Sequence, residues 1–165
     1  MKALVLYDSK FGNTAVVARA IAERAEARAS VDIVAAKDIP ASPAAYDVVF
    51  VGGPTHKHGM SSAMREALKR LTPGWMVGRS LAAFDTRYKG RRILTGSAAA
   101  SIARAFRRAG AEILAGPESF YVDAAEGPLV AGETERAAQW ADSVLKAVPP
   151  GNVVNSQIGE TEVQT

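Results

Sequence analysis

Cysteine is absent from this sequence, and histidine occurs only as His56 and His58. The first absence excludes disulfides, thiolate nucleophiles, iron–sulfur clusters and most structural zinc sites. Two histidines also argue against a transition-metal site built by the chain. Long apolar runs are missing: none nears the ~20 residues that a membrane helix needs. Met1-Lys2 lead straight into a strand-like run without a small-residue cleavage site, so no secretory signal is expected. A soluble, cytoplasmic chain is the expectation. Hard chemistry then has to come from a borrowed cofactor or from oxygen and nitrogen side chains.

What is present fits one domain of 165 residues with net charge +3. Charge is spread unevenly. From Lys57 to Arg108 the bases, among them Arg65, Lys69, Arg70, Arg79, Arg87, Lys89, Arg91, Arg92, Arg104 and Arg107, face only Glu66 and Asp85 as acids. From Glu112 onward acids dominate. Most such residues are solvated helix faces, each worth little to stability. Their asymmetry nevertheless steers charged partners, and a basic half suits an acidic protein or an anionic small molecule. No aromatic-interleaved basic motif or recognition helix points to nucleic acid.

Apolar runs alternate with helical periodicities, which predicts βα units around a parallel sheet. Strands are expected at Ala3-Leu4-Val5-Leu6-Tyr7, from Val31 to Ala35, over Asp47-Val48-Val49-Phe50-Val51 and from Ser80 to Phe84. A last strand, with Ile113-Leu114 and Phe120-Tyr121-Val122, carries a Gly-Pro break. Helices are expected from Asn13 to Arg28, around Met64, Leu68 and Leu71, around Ile102 and Phe106, and around Trp140, Val144, Leu145 and Val148. Trp75 reads as packing. Residues 1–148 form the domain, and the polar, aperiodic 149–165 reads as a flexible tail. The fold class is α/β, a three-layer doubly wound five-stranded parallel sheet.

The strongest local signal is Tyr7-Asp8-Ser9-Lys10-Phe11-Gly12-Asn13-Thr14, between the first strand and the first helix. A helix N-terminus offers unpaired N–H groups and partial positive charge, so it favours a phosphate. Ser9, Asn13 and Thr14 add short donors, and Gly12 lets the backbone turn tightly. Helix capping alone accounts for one of these residues, not for all of them. The dinucleotide fingerprint and the triphosphatase loop are both missing.

The stretch from Val5 to Ile21 resembles the flavodoxin signature through Val5-Leu6-Tyr7, Ser9, Gly12, Thr14, Ala18 and Ile21. That resemblance implies the strand order 2-1-3-4-5, with Ser9, Lys10, Phe11, Gly12, Asn13 and Thr14 holding the phosphate of FMN. Gly52-Gly53-Pro54-Thr55-His56-Lys57-His58-Gly59 is similar to the loop on one side of the flavin ring. Asp85-Thr86-Arg87-Tyr88, read as following the fourth strand, is similar to the loop on the other side. Phe84-Asp85-Thr86-Arg87 and Pro117-Glu118-Ser119-Phe120 also resemble small flavodoxin-domain proteins of actinobacteria. The flavin is then the reactive group, and the chain supplies no catalytic residue of its own.

Two features depart from that family. His56-Lys57-His58 stands where an aromatic is usual; either histidine is open to stack on the ring or hydrogen-bond to it, and Tyr88 is the better stacking candidate. Lys57, Arg87, Lys89, Arg91 and Arg92 also surround the flanking loops, whereas shuttle flavodoxins are acidic there. Positive charge beside the ring favours its anionic reduced forms and a less negative potential. Three functions stay open at this point: an electron carrier, an FMN-dependent quinone or NAD(P)H oxidoreductase, and a flavin-free binding or regulatory module. A phospho-acceptor receiver domain is disfavoured, because Val51-Gly52-Gly53 and Phe120-Tyr121-Val122 stand where that fold needs an aspartate and a lysine.

Overall fold

The computed structural model describes residues 1–56, 59–71, 74–90, 96–124 and 126–149. The expectations for Lys57, His58, Arg91, Arg92 and nearly all of the tail fall outside these. The strands are β1 (Lys2–Tyr7), β2 (Ser30–Ala35), β3 (Val48–Pro54), β4 (Ser80–Tyr88), β5 (Glu112–Ile113) and β6 (Glu118–Val122). Among the described residues the helices are α1 (Asn13–Ala25), α2 (Ser62–Arg70), α3 (Ala98–Arg108) and α4 (Glu133–Lys146), with a 3-10 turn at Ala36–Asp38.

All strand pairs in the sheet are parallel, in the order β2-β1-β3-β4-β5, and β6 also pairs with β4. This is the flavodoxin-like order expected from the resemblance. The expected last strand is divided in two. Pro117 has no N–H to give a ladder, and the pieces on either side pair with different parts of β4. β5 meets Ser80 and Leu81, while β6 runs from Phe84↔Glu118 to Tyr88↔Val122.

That second pairing also corrects the end of the fourth strand. Asp85, Thr86, Arg87 and Tyr88 are not a loop; they are the last residues of β4, held by β3 through Thr86 and by β6 through Tyr88. Only long-range pairing produces this extension, and local sequence carries no sign of it.

Helices cover both faces, so β1, β3 and β4 are buried almost throughout and read as continuous apolar runs. On one face Leu4, Leu6, Val49, Val51, Leu81 and Ala83 pack under Met64, Ile102 and Phe106. On the other, Ala3, Val5, Phe50, Phe84 and Phe120 pack under Val17, Ile21, Val144 and Leu145. Trp140 of α4 meets the rings of Phe50, Phe84 and Phe120 edge-on at 5.7, 6.1 and 6.0 Å. Each fully buried large side chain contributes about 1.5–3 kcal/mol. Trp75 is packing, as expected: it is buried, and its Nε1 donates to the Pro43 carbonyl at 3.1 Å.

Alternation along β4 decides what meets the ligand end of the sheet. Leu81, Ala83, Asp85 and Arg87 point to the α2–α3 face, whereas Ala82, Phe84 and Thr86 point to the α1–α4 face.

Candidate functional site

At the carboxyl ends of β1, β3 and β4 lies a pocket of about 690 Å³. It sits where β1 and β3 send their chains to opposite faces, the place at which open parallel sheets receive ligands. Ser9, Lys10, Phe11, Asn13 and Thr14 form one wall, Pro54, Thr55 and His56 a second, and Thr86, Arg87 and Tyr88 a third. Three separate sequence segments are thus brought to one cavity. Gly12, Gly59 and Asp85 do not line it, and Lys57 and His58 lie outside the described residues.

The first wall is built by the turn into α1. Gly12 precedes the helix at φ 91°, a left-handed conformation that costs any other residue about 1–2 kcal/mol. Ser9 folds its hydroxyl back under this turn and accepts from the Gly12 N–H at 3.1 Å and the Ala15 N–H at 3.3 Å. Both hydroxyl lone pairs are then used, so its proton is free to donate. Among the described residues nothing engages the N–H groups of Asn13 and Thr14, which open the helix. The Thr14 hydroxyl instead pairs with Thr86 Oγ1 at 2.7 Å, both buried, and ties the turn to β4. This end of α1 is a donor surface facing the pocket.

The other two walls meet at a buried carboxylate. Asp85 is wholly buried, and its Oδ2 accepts from Ser97 Oγ at 2.6 Å, the Ala99 N–H at 3.0 Å and Thr55 Oγ1 at 3.1 Å. The Ala98 N–H donates to Thr55 Oγ1 at 2.9 Å, and the Ala100 N–H to Ser97 Oγ at 3.1 Å. The N–H groups that open α3 are therefore all taken by the chain itself, and the helix dipole faces the carboxylate. Asp85 Oδ1 is the one buried side-chain polar atom without a partner among the described residues. Asp85 is thus a support under the pocket floor rather than part of its lining.

Aromatic surface flanks the opening. Phe11 is 47% exposed and Tyr88 48% exposed, and both line the pocket. Lys10 and Lys89 are exposed beside them. Arg87 differs from the expectation of a free basic rim. It is buried, and its guanidinium donates to Ser119 Oγ at 3.0 Å and the Gly90 carbonyl at 3.1 Å. His56 is exposed, with its backbone bridged to Gly59.

Several contributors escaped sequence reasoning. Asp8, Ser61, Ser62, Ala63 and Val122 also line the cavity. The Ser61-Ser62 pair was recoverable, since Ser61 caps α2 by accepting from the Met64 N–H at 3.1 Å, a signature of serine before an apolar periodicity. Gly127 was not. Its φ of 105° favours glycine, and a Cβ there would also displace the Asn13 side-chain amide, whose Oδ1 would lie 2.5 Å away.

The family described as the flavodoxin domain matches residues 4–72. A search of curated proteins gives no match. Oxidised flavodoxin 2 from Bacillus cereus superposes with TM-score 0.74 at 18% identity, covering 88% of this chain and 99% of that one. An archaeal flavodoxin gives 0.70 at 20% identity, over 90% and 99%. The rubredoxin oxygen:oxidoreductase of Desulfovibrio gigas gives 0.71 at 20% identity; 89% of this chain is covered but only 36% of that protein. This chain therefore spans about a third of that longer relative.

Proposed function

From the flavodoxin-domain match over residues 4–72 and the flavodoxin-like fold, we propose that this chain binds FMN without a covalent link and passes electrons through it to a separate partner. The observation that carries the reading is the start of α1. Its unengaged N–H groups on Asn13 and Thr14, with the outward proton of Ser9, form a donor cradle matched to a phosphate. The rest of the pocket fits the remainder of the cofactor. Its volume of about 690 Å³ suits a ligand of this size, and Tyr88 offers flat apolar surface to a ring.

In this reading Ser9, Lys10, Phe11, Gly12, Asn13 and Thr14 hold the phosphate end. Pro54, Thr55 and His56 flank the ring on one side, and Thr86, Arg87 and Tyr88 on the other. FMN supplies one- and two-electron redox chemistry when bound. The protein's share is orientation and field. Lys10, which lines the pocket, and exposed Lys89, next to Tyr88 in the chain, attract an acidic partner protein or an anionic acceptor and favour negative charge in the pocket. The buried guanidinium of Arg87 adds a fixed positive charge beneath its wall.

The test is reconstitution. Protein mixed with FMN and desalted should keep flavin absorption bands, bleach with dithionite and regain colour on giving electrons to an acceptor. Transfer should be faster to an acidic acceptor protein than to a basic one at low salt, with the gap closing as salt rises. Colourless protein that ignores FMN contradicts the proposal.

A further inference from the structure

Hydrogen-bond polarity in this pocket is fixed from below, and it differs between its two ends. The Thr55 hydroxyl has one proton and two lone pairs. Ala98 can only donate, so its N–H at 2.9 Å takes one lone pair. The proton goes to Asp85 Oδ2 at 3.1 Å, an oxygen that already accepts from the Ala99 N–H and therefore acts as an acceptor. Ser97 is held the same way, between the Ala100 N–H and the same carboxylate oxygen. What Thr55 has left for the pocket it lines is a single lone pair.

Thr55 therefore rejects a phosphate oxygen or any other acceptor and takes a donor. Ser9 has the opposite polarity: its lone pairs are filled by Gly12 and Ala15 N–H groups, and only its proton remains. The Thr55 N–H donates to the Thr86 carbonyl at 2.9 Å, and Thr86 Oγ1 pairs with Thr14 Oγ1 at 2.7 Å, so the acceptor at Thr55 and the donor end at the start of α1 are joined through β4 in one cavity.

We infer that Thr55 is a specificity-determining residue that accepts a hydrogen bond from a hydroxyl of the ligand's polyol chain, with Asp85 as the positioning residue that fixes its polarity. The inference rests on the FMN reading, because the ribityl chain that joins the phosphate to the ring carries such hydroxyls. An alkyl chain of the same length offers no donor.

The experiment compares FMN with an analogue in which a phosphopentyl chain replaces the ribityl phosphate, both titrated in the oxidised state by flavin fluorescence. Wild-type protein should bind FMN about tenfold or more tightly than the analogue, as one hydrogen bond to a buried acceptor implies. Thr55→Val should lose most of that preference while still binding the analogue, and Thr55→Ser should keep it. Asp85→Asn should also keep it, because the amide oxygen can take the place of Oδ2. A wild-type protein without the preference, or a Thr55→Val variant that retains all of it, overturns the inference while leaving FMN binding intact. Failure of both ligands to bind removes the inference together with the reading beneath it.

Discussion

Of the helices that begin at the ligand end of this sheet, α1 and α3 spend their first N–H groups differently. At α3 the chain fills them itself, with Thr55, Asp85 and Ser97 taking Ala98, Ala99 and Ala100. At α1 only the Ala15 N–H is taken by a side chain, and Asn13 and Thr14 face the pocket. The two ends carry the same partial positive charge. One is neutralised by a buried carboxylate and becomes structure; the other is left for an anion from outside. What separates a binding helix end from a structural one is thus which acceptors the fold already supplies.

Breaking the filled end should have the largest effect. Asp85→Ala leaves two hydroxyls and an N–H without their acceptor in a buried place, and should cost about 3–5 kcal/mol. Urea unfolding reads this loss, and Asp85→Asn should cost far less. A drop for Asp85→Ala below about 1 kcal/mol, the level of an ordinary surface change, would mean that α3 does not depend on its carboxylate.

Changes at the open end should act on the ligand more than on the fold. Ser9→Ala removes a cap, worth about 0.5–2 kcal/mol of stability. It also removes a donor to the phosphate, which should weaken FMN binding on the order of tenfold. Loss of stability without loss of affinity would make Ser9 a cap and nothing more.

The smallest effect belongs to a control far from both helix starts. Asp142 of α4 is held down to about 2 from the ordinary 3.8, first by the hydrogen bond from the Lys146 ammonium and then by the Arg28 guanidinium. A carboxyl depressed in the folded state stabilises the fold above its unfolded value and loses that contribution as pH falls toward 2. Asp142→Asn should slightly lower Tm at pH 7, flatten the decline between about pH 4 and pH 2, and leave FMN affinity unchanged. Thermal unfolding across that range reads it.

Much of the fold was legible because covered parallel strands write themselves as apolar runs such as Ala3-Leu4-Val5-Leu6 and Val48-Val49-Phe50-Val51. The phosphate turn was legible because its chemistry is local, with Ser9, Gly12 and Thr14 within one turn of chain. The strand status of Asp85 to Tyr88 was not, since pairing with β6 is set by residues 30 or more positions away. Nor could sequence separate the roles of neighbouring residues. Asp85 reads as a pocket group beside Thr86, yet strand alternation turns it toward α3 and burial spends it on Ser97 and Ala99, while Arg87 lines the pocket but gives its guanidinium to Ser119 and the Gly90 carbonyl. The free basic rim accordingly shrinks, among the described residues, to Lys10 and Lys89.

The most direct measurement is a calorimetric titration of the protein with FMN and with riboflavin, which differ only in the phosphate. If the open end of α1 is the anion site, FMN binds at least about 100-fold more tightly, as several charge-assisted hydrogen bonds imply. Equal affinities for the two flavins would contradict that assignment.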